Sequence, residues 1–117
     1  MSSVLIVDDT VDCSEPLARL LRKRGHTVEC APGGVEALAL LARFRPDVIV
    51  LDLMMPVMDG VSFLEALRGD AERKDLRVVV LSGYGDGLPA RRLAELGVGE
   101  VFLKGSVDFS RLLKVLA

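Results

Sequence analysis

Tryptophan is missing from these 117 residues, and one tyrosine and four phenylalanines supply all the aromatic rings. That is poor material for a platform on which bases or a flavin would stack. Histidine occurs once, as His26 in a turn setting, which argues against a zinc site or a histidine general base. The two cysteines, Cys13 and Cys30, lack CxxC spacing and read as reduced, semi-buried thiols of a cytosolic protein. No apolar run approaches the roughly 18 residues of a membrane span, so no membrane contact is expected. Met1-Ser2-Ser3 leads straight into a strand pattern, without the look of a signal peptide. Charge of one sign is also scarce. The net charge is −2, and the basic residues fall in small groups (Arg22-Lys23-Arg24, Arg91-Arg92) that read as solvated helix faces, against nucleic acid as a direct partner. Repeats and low-complexity stretches are absent.

What is present is apolar and regularly spaced. Half of the residues are hydrophobic, enough for a compact core in a single domain over residues 1–117. Short β-branched runs alternate with helical periodicity. Strands are expected at Ser3–Val7, Thr27–Cys30 (towards an edge), Asp47–Leu51, Arg77–Leu81 and Glu100–Leu103. Helices are expected from about Asp12 to Arg24 with Gly25 as its stop, from Gly33-Gly34 through Ala42, over Val61–Arg68, from Pro89 to about Leu96, and over Asp108–Leu116, capped by Asp108 or Ser106. Asp59-Gly60 reads as a turn. The fold class is α/β: a five-stranded parallel sheet of order 2-1-3-4-5, doubly wound with five helices, flavodoxin-like in topology.

Four of the apolar runs end on chemistry. Val4–Val7 runs into Asp8-Asp9, Val48–Leu51 into Asp52, Val78–Leu81 into Ser82, and Val101–Leu103 into Lys104. Ligands in open α/β sheets bind outside the carboxyl ends of the strands, so these side chains should share one rim. Singly each has a bland explanation, such as a helix cap for Asp8-Asp9 or a solvated loop for Ser82 and Lys104. An acid ending a continuous apolar strand is harder to explain without a function, and four complementary strand ends harder still. Asp52 is the candidate phosphoryl acceptor, a carboxylate able to form an acyl phosphate once charge is neutralised. Asp8, Asp9 and Asp52 form a hard-oxygen set suited to Mg²⁺ or Mn²⁺, with the backbone carbonyl of Met54 placed to complete it. Lys104 and Ser82 would contact the phosphoryl oxygens.

On these residues the chain resembles the receiver domain of bacterial two-component response regulators (CheY-like) over essentially its whole length. The segments that carry the resemblance are Val4–Asp9, Val50–Pro56 with Met58-Asp59-Gly60, Leu81-Ser82-Gly83 and Phe102-Leu103-Lys104. Ser82 follows Asp52 by 30 residues, and Lys104 follows Ser82 by 22. The resemblance implies a cytoplasmic phosphoprotein whose Asp52 takes a phosphoryl group from a sensor histidine kinase or a histidine phosphotransfer protein. It also implies Mg²⁺ positioned by Asp8 and Asp9, and a signalling domain rather than an enzyme acting on a separate substrate. The output would be a face formed by the fourth helix, fifth strand and fifth helix, including Arg91, Arg92, Glu95, Phe102 and Arg111, where a downstream protein, an output domain or a second copy docks. Two positions depart from the family's usual pattern. Gly105 follows the lysine where proline is common, and Val101 stands where many members carry an aromatic switch residue. A receiver-like adaptor that binds without phosphorylation is the competing reading. A haloacid-dehalogenase-like phosphatase would require a second acid where Met54 stands. A flavodoxin-like carrier would not place Asp8-Asp9 at a phosphate loop.

Overall fold

The computed structural model describes residues 2–53, 58–83, 89–103 and 107–116, with side chains for all of these except 11–14 and 109. Its elements alternate as β1 (Ser3–Val7), α1 (Val11–Lys23), β2 (Thr27–Ala31), α2 (Gly34–Leu40), β3 (Val48–Leu51), α3 (Gly60–Arg68), β4 (Arg77–Ser82), α4 (Ala90–Glu95), β5 (Glu100–Leu103) and α5 (Phe109–Leu116). The strands are parallel in the order β2-β1-β3-β4-β5, as the alternation predicts.

The period-2 geometry of a strand sends successive side chains to opposite faces, and here both faces are covered. On one side Leu5, Val7, Ile49, Leu51, Val78 and Val80 meet Phe63, Leu64 and Leu67 of α3, with Ala37 of α2 and Leu93 of α4. On the other side Val4, Ile6, Val48, Val50, Val79 and Leu81 meet Leu17 and Leu21 of α1 and Leu112 and Leu116 of α5. That double cover is why β3 reads as an unbroken apolar run: all four of its residues are buried.

Helix ends follow local chemistry. Gly25, just past α1, has φ 93°, a conformation that glycine adopts without a Cβ clash. Pro16 lies inside α1 and removes one rung of its hydrogen bonding. α2 stops at Leu40 rather than running to Ala42, because the chain tightens there: Ala42 and Arg43 donate to the carbonyls of Ala39 and Leu40, three residues back. Asp59 is a helix cap and not simply a turn residue; its Oδ1 accepts the Ser62 N–H at 2.8 Å, satisfying a donor that the first turn of α3 leaves open. Asp108 does the same for α5 through the Arg111 N–H at 3.2 Å. His26 has a specific task within its turn, since its Nδ1 accepts the Ser2 N–H at 3.0 Å beside the start of β1.

Arg68, at the end of α3, ties the amino-terminal edge of the sheet. Its guanidinium donates to the carbonyls of Leu96 (2.7 Å), Lys74 (2.9 Å) and Leu76 (2.6 Å). Among the described residues no helix is long and apolar enough to cross a membrane.

Candidate functional site

In this topology the chain goes from β1 outward to β2, then crosses back to β3 on the far side of β1. The crevice between the carboxyl ends of β1 and β3 is therefore the point where the winding reverses, and that is where such sheets bind ligands. Asp8 and Asp9 follow β1 directly and Asp52 follows β3 directly. The register Val7↔Leu51 brings the two ends level, and the Asp52 N–H extends the pairing by donating to the Val7 carbonyl at 2.9 Å.

The three acids converge. Ligating oxygens of Asp8, Asp9 and Asp52 all lie within 4.8 Å of one another. Asp8 and Asp52 are buried, at 7% and 3% exposure, whereas Asp9 faces solvent. Asp8 Oδ1 accepts the Thr10 N–H at 2.8 Å, and Thr10 Oγ1 makes a long 3.4 Å contact with Asp9 Oδ1. Carboxylates brought this close repel one another when all are ionised. A hard divalent cation offsets such repulsion, and an all-oxygen donor set selects Mg²⁺ or Mn²⁺ over softer metals. The donor chemistry thus fits the metal that the sequence suggests.

Ser82 closes β4, the strand next to β3, and is fully buried. Leu51 is level with Val80, so Ser82 stands one place beyond the level of Asp52. Of the site residues expected from the sequence, Asp8, Asp9 and Asp52 are brought together and Ser82 is set on the neighbouring strand end. Lys104 and Met54 lie outside the described residues, as does Gly105.

Two features of the site are not declared by residue type alone, although Gly60 falls in a segment that carries the family resemblance. Gly60 opens α3 against the end of β3: its N–H donates to the Leu53 carbonyl at 3.0 Å. A Cβ at Gly60 would fall 2.7 Å from Leu53 Cα and 2.9 Å from the Asp52 carbonyl oxygen. Gly34, at the start of α2, receives the side chain of Met58 in the same manner; a Cβ there would lie 2.7 Å from Met58 Sδ. A strand-end acid announces itself by type and position, but a backbone-to-backbone approach emerges only from the packed fold.

On the expected output face, Arg91, Arg92, Glu95 and Arg111 are exposed. Arg92 pairs with Glu65 of α3 at 2.6 Å and with Glu95 at 3.7 Å, and the Glu65 contact holds its guanidinium above the usual arginine range. Arg111 pairs with Glu100. Phe102 does not belong to the accessible part of this face. It is 4% exposed, packed with α1 and α5, and covered by the Arg111 guanidinium 5.0 Å from its ring centroid. Val101 packs with the opposite cluster, so the two neighbours point to opposite sides of the sheet, as their adjacency in a strand requires. Cys30 is exposed rather than semi-buried, because β2 is an edge strand.

The family model of the response regulator receiver domain matches residues 4–117. The response regulator MprA of Mycobacterium tuberculosis is 46% identical over 79 residues, which cover 68% of this chain and 34% of that protein. The chain thus spans about a third of the length of the curated relatives it matches. Among solved structures, a response regulator receiver protein from Pseudomonas putida superposes with a TM-score of 0.90 at 32% identity, covering 97% of this chain and 93% of that one. The response regulator TrrA of Thermotoga maritima, solved in complex with Mg²⁺-BeF, gives a TM-score of 0.83 at 27% identity, with complete coverage of both chains. A doubly wound sheet with an acidic pocket at its switch point, matched by that family over nearly its full length, leaves one assignment: the chain belongs to the response regulator receiver domain family, the signalling domains of bacterial two-component systems. Receiver domains bind Mg²⁺ at an acidic pocket, and Asp8, Asp9 and Asp52 make such a pocket here.

Proposed function

We propose that this chain is one receiver domain spanning residues 1–117, that Asp52 is its phosphoacceptor, and that a histidine kinase or a histidine phosphotransfer protein is its donor. The observation that carries the reading is the convergence of three carboxylates, two of them buried, at the switch point of the sheet. Burying like charges together is costly, and a domain of this size has no structural need to do so.

In the step itself, a carboxylate oxygen of Asp52 forms its bond to phosphorus as the bond from phosphorus to the donor's imidazole nitrogen breaks. The electron pair leaves with the nitrogen, and the product is an acyl phosphate. Asp52 is aimed by its backbone bond to Val7 and by the close-packed Gly60 behind it. The Ser82 hydroxyl and the Lys104 ammonium are assigned to the phosphoryl oxygens, one as a hydrogen-bond donor and the other as a point charge. Mg²⁺ or Mn²⁺, held by Asp8, Asp9, Asp52 and the Met54 backbone carbonyl, supplies charge neutralisation when bound. The added charge then biases a two-state rearrangement, and the output is read at the face of α4, β5 and α5 by a downstream protein, an output domain or a second copy. The working compartment is the cytoplasm.

Incubation with acetyl phosphate and Mg²⁺, followed by intact-mass measurement, tests this. One added phosphoryl group, lost with chelator and absent in Asp52→Ala, is the expected result. No gain by folded protein would favour the adaptor that binds its partners without phosphorylation.

A further inference from the structure

The stretch from Ala31, the last residue of β2, to Gly34, the first of α2, touches both arms of the acidic pocket. At one end, the Ala31 carbonyl accepts the N–H of Asp8 at 3.1 Å. At the other end, Gly34 seats Met58, from the chain that connects Asp52 to α3. The hypothetical Cβ of Gly34 would meet Met58 at Sδ (2.7 Å), Cγ (3.0 Å) and Cβ (3.4 Å), so the methionine lies along the bare glycine for most of its length. Met58 is half-buried and packs with the cluster that contains Leu53, Ala37 and Phe63. The connection leaving Asp52 is thus held at three described points: Leu53 in the core, Met58 on Gly34, and Gly60 against the Leu53 carbonyl.

We propose that Gly34 and Met58 are positioning residues for the acidic pocket, acting as a buttress that fixes the strand-three side of the site against the same stretch, Ala31 to Gly34, that fixes the strand-one side. The proposal rests on the phosphoacceptor reading given above and adds a support from outside the ligand set. The physical reason is that carboxylates held close together repel, so an unsupported connection relaxes outward and opens the spacing that a cation requires. A packed side chain resists that relaxation. Supports of this kind, one layer behind the ligands, commonly set metal affinity. A Cβ at Gly34 leaves two outcomes, either Met58 rotates off its seat or the connection backs away. Both remove the buttress.

The experiment measures Mn²⁺ alone binding to wild-type protein, Gly34→Ala, Met58→Ala and the double variant, by the electron paramagnetic resonance of free Mn²⁺. Hydrogen exchange of the Gly60 amide in metal-free protein is followed in parallel. Each single variant is expected to weaken Mn²⁺ binding by about three- to tenfold, at or below the usual loss for an outer-shell partner. Gly60 exchange should accelerate in both. The double variant should bind no more weakly than the weaker single, since both substitutions remove one contact. Met58→Ala opens space rather than forcing an overlap, so it carries the test alone if Gly34→Ala does not fold. Unchanged affinity in Met58→Ala, or losses that multiply in the double variant, would overturn the buttress. Absence of Mn²⁺ binding by the wild type would instead remove the metal reading of the pocket. Faster Gly60 exchange in that case would leave Met58 a purely structural contact and overturn its positioning role.

Discussion

Replacing Gly60 by alanine tests how tightly the end of β3, which carries Asp52, is gripped. The new Cβ would stand 2.7 Å from both Leu53 Cα and Leu53 Cδ2, and 2.9 Å from the Asp52 carbonyl oxygen. Two of those three atoms are backbone, and Leu53 is buried at 2% exposure, so no side-chain rotation relieves the overlap. Overpacking of this kind costs about 1–3 kcal/mol, and the rigid surroundings point to the upper end. Alanine returns part of the roughly 1 kcal/mol by which it exceeds glycine in a helix, and only part, since Gly60 is the first residue of α3. The net loss is about 2 kcal/mol. With an unfolding entropy of about 2.1 cal/mol/K per residue, a chain of this length should melt about 8 °C lower. The same strain shifts the backbone that carries Asp52. A displacement near 1 Å can cost about a hundredfold in a reaction that depends on positioning, so phosphorylation by acetyl phosphate should slow by at least about tenfold. Circular dichroism melts and a time course of intact mass measure the two effects. A variant with unchanged melting temperature and unchanged rate would refute the close approach as a constraint on the site.

Other perturbations separate the pocket from the scaffold. Asp8→Asn keeps the acceptor for the Thr10 N–H while removing one of the crowded charges. Mg²⁺ should therefore raise the variant's melting temperature much less than that of wild type; an undiminished Mg²⁺ shift would contradict the pocket's role as the metal site. Asp59→Ala removes the α3 cap at the Ser62 N–H and should cost about 1 kcal/mol, seen as a melt about 4 °C lower, with phosphorylation retained in the cold. Arg68→Met keeps the stem but strips three donors from the carbonyls of Leu96, Lys74 and Leu76. Urea denaturation should show a loss of about 2 kcal/mol, with Mn²⁺ affinity intact, because Leu76 precedes β4 at the end of the sheet opposite Ser82.

The strands and the acidic pocket are legible because each is declared by residue type in one dimension. A short β-branched apolar run bounded by turn residues reads as a doubly covered strand, and an acid at its end falls on the sheet's rim. Ends of helices are less legible: nothing in Leu41-Ala42 warns that α2 ends two residues early. Asp59 shows the limit of local pattern from another side, since an Asp-Gly pair serves as a turn or as a cap depending on whether a helix packs behind it. The family resemblance puts Phe102 on the output face, whereas the structure buries it under Arg111, on the opposite side of the strand from Val101. The roles of Gly34 and Gly60 could not be read at all, because they depend on what the fold brings within 3 Å of a missing Cβ.

The central claim is that one particular carboxylate carries the phosphoryl group. Borohydride reduction of the acetyl-phosphate-treated protein, followed by peptide mapping, converts an acyl phosphate into homoserine at the residue that bore it. The account predicts homoserine at position 52, dependent on Mg²⁺. Homoserine at Asp8 or Asp9, or at no position in folded and metal-replete protein, would contradict it.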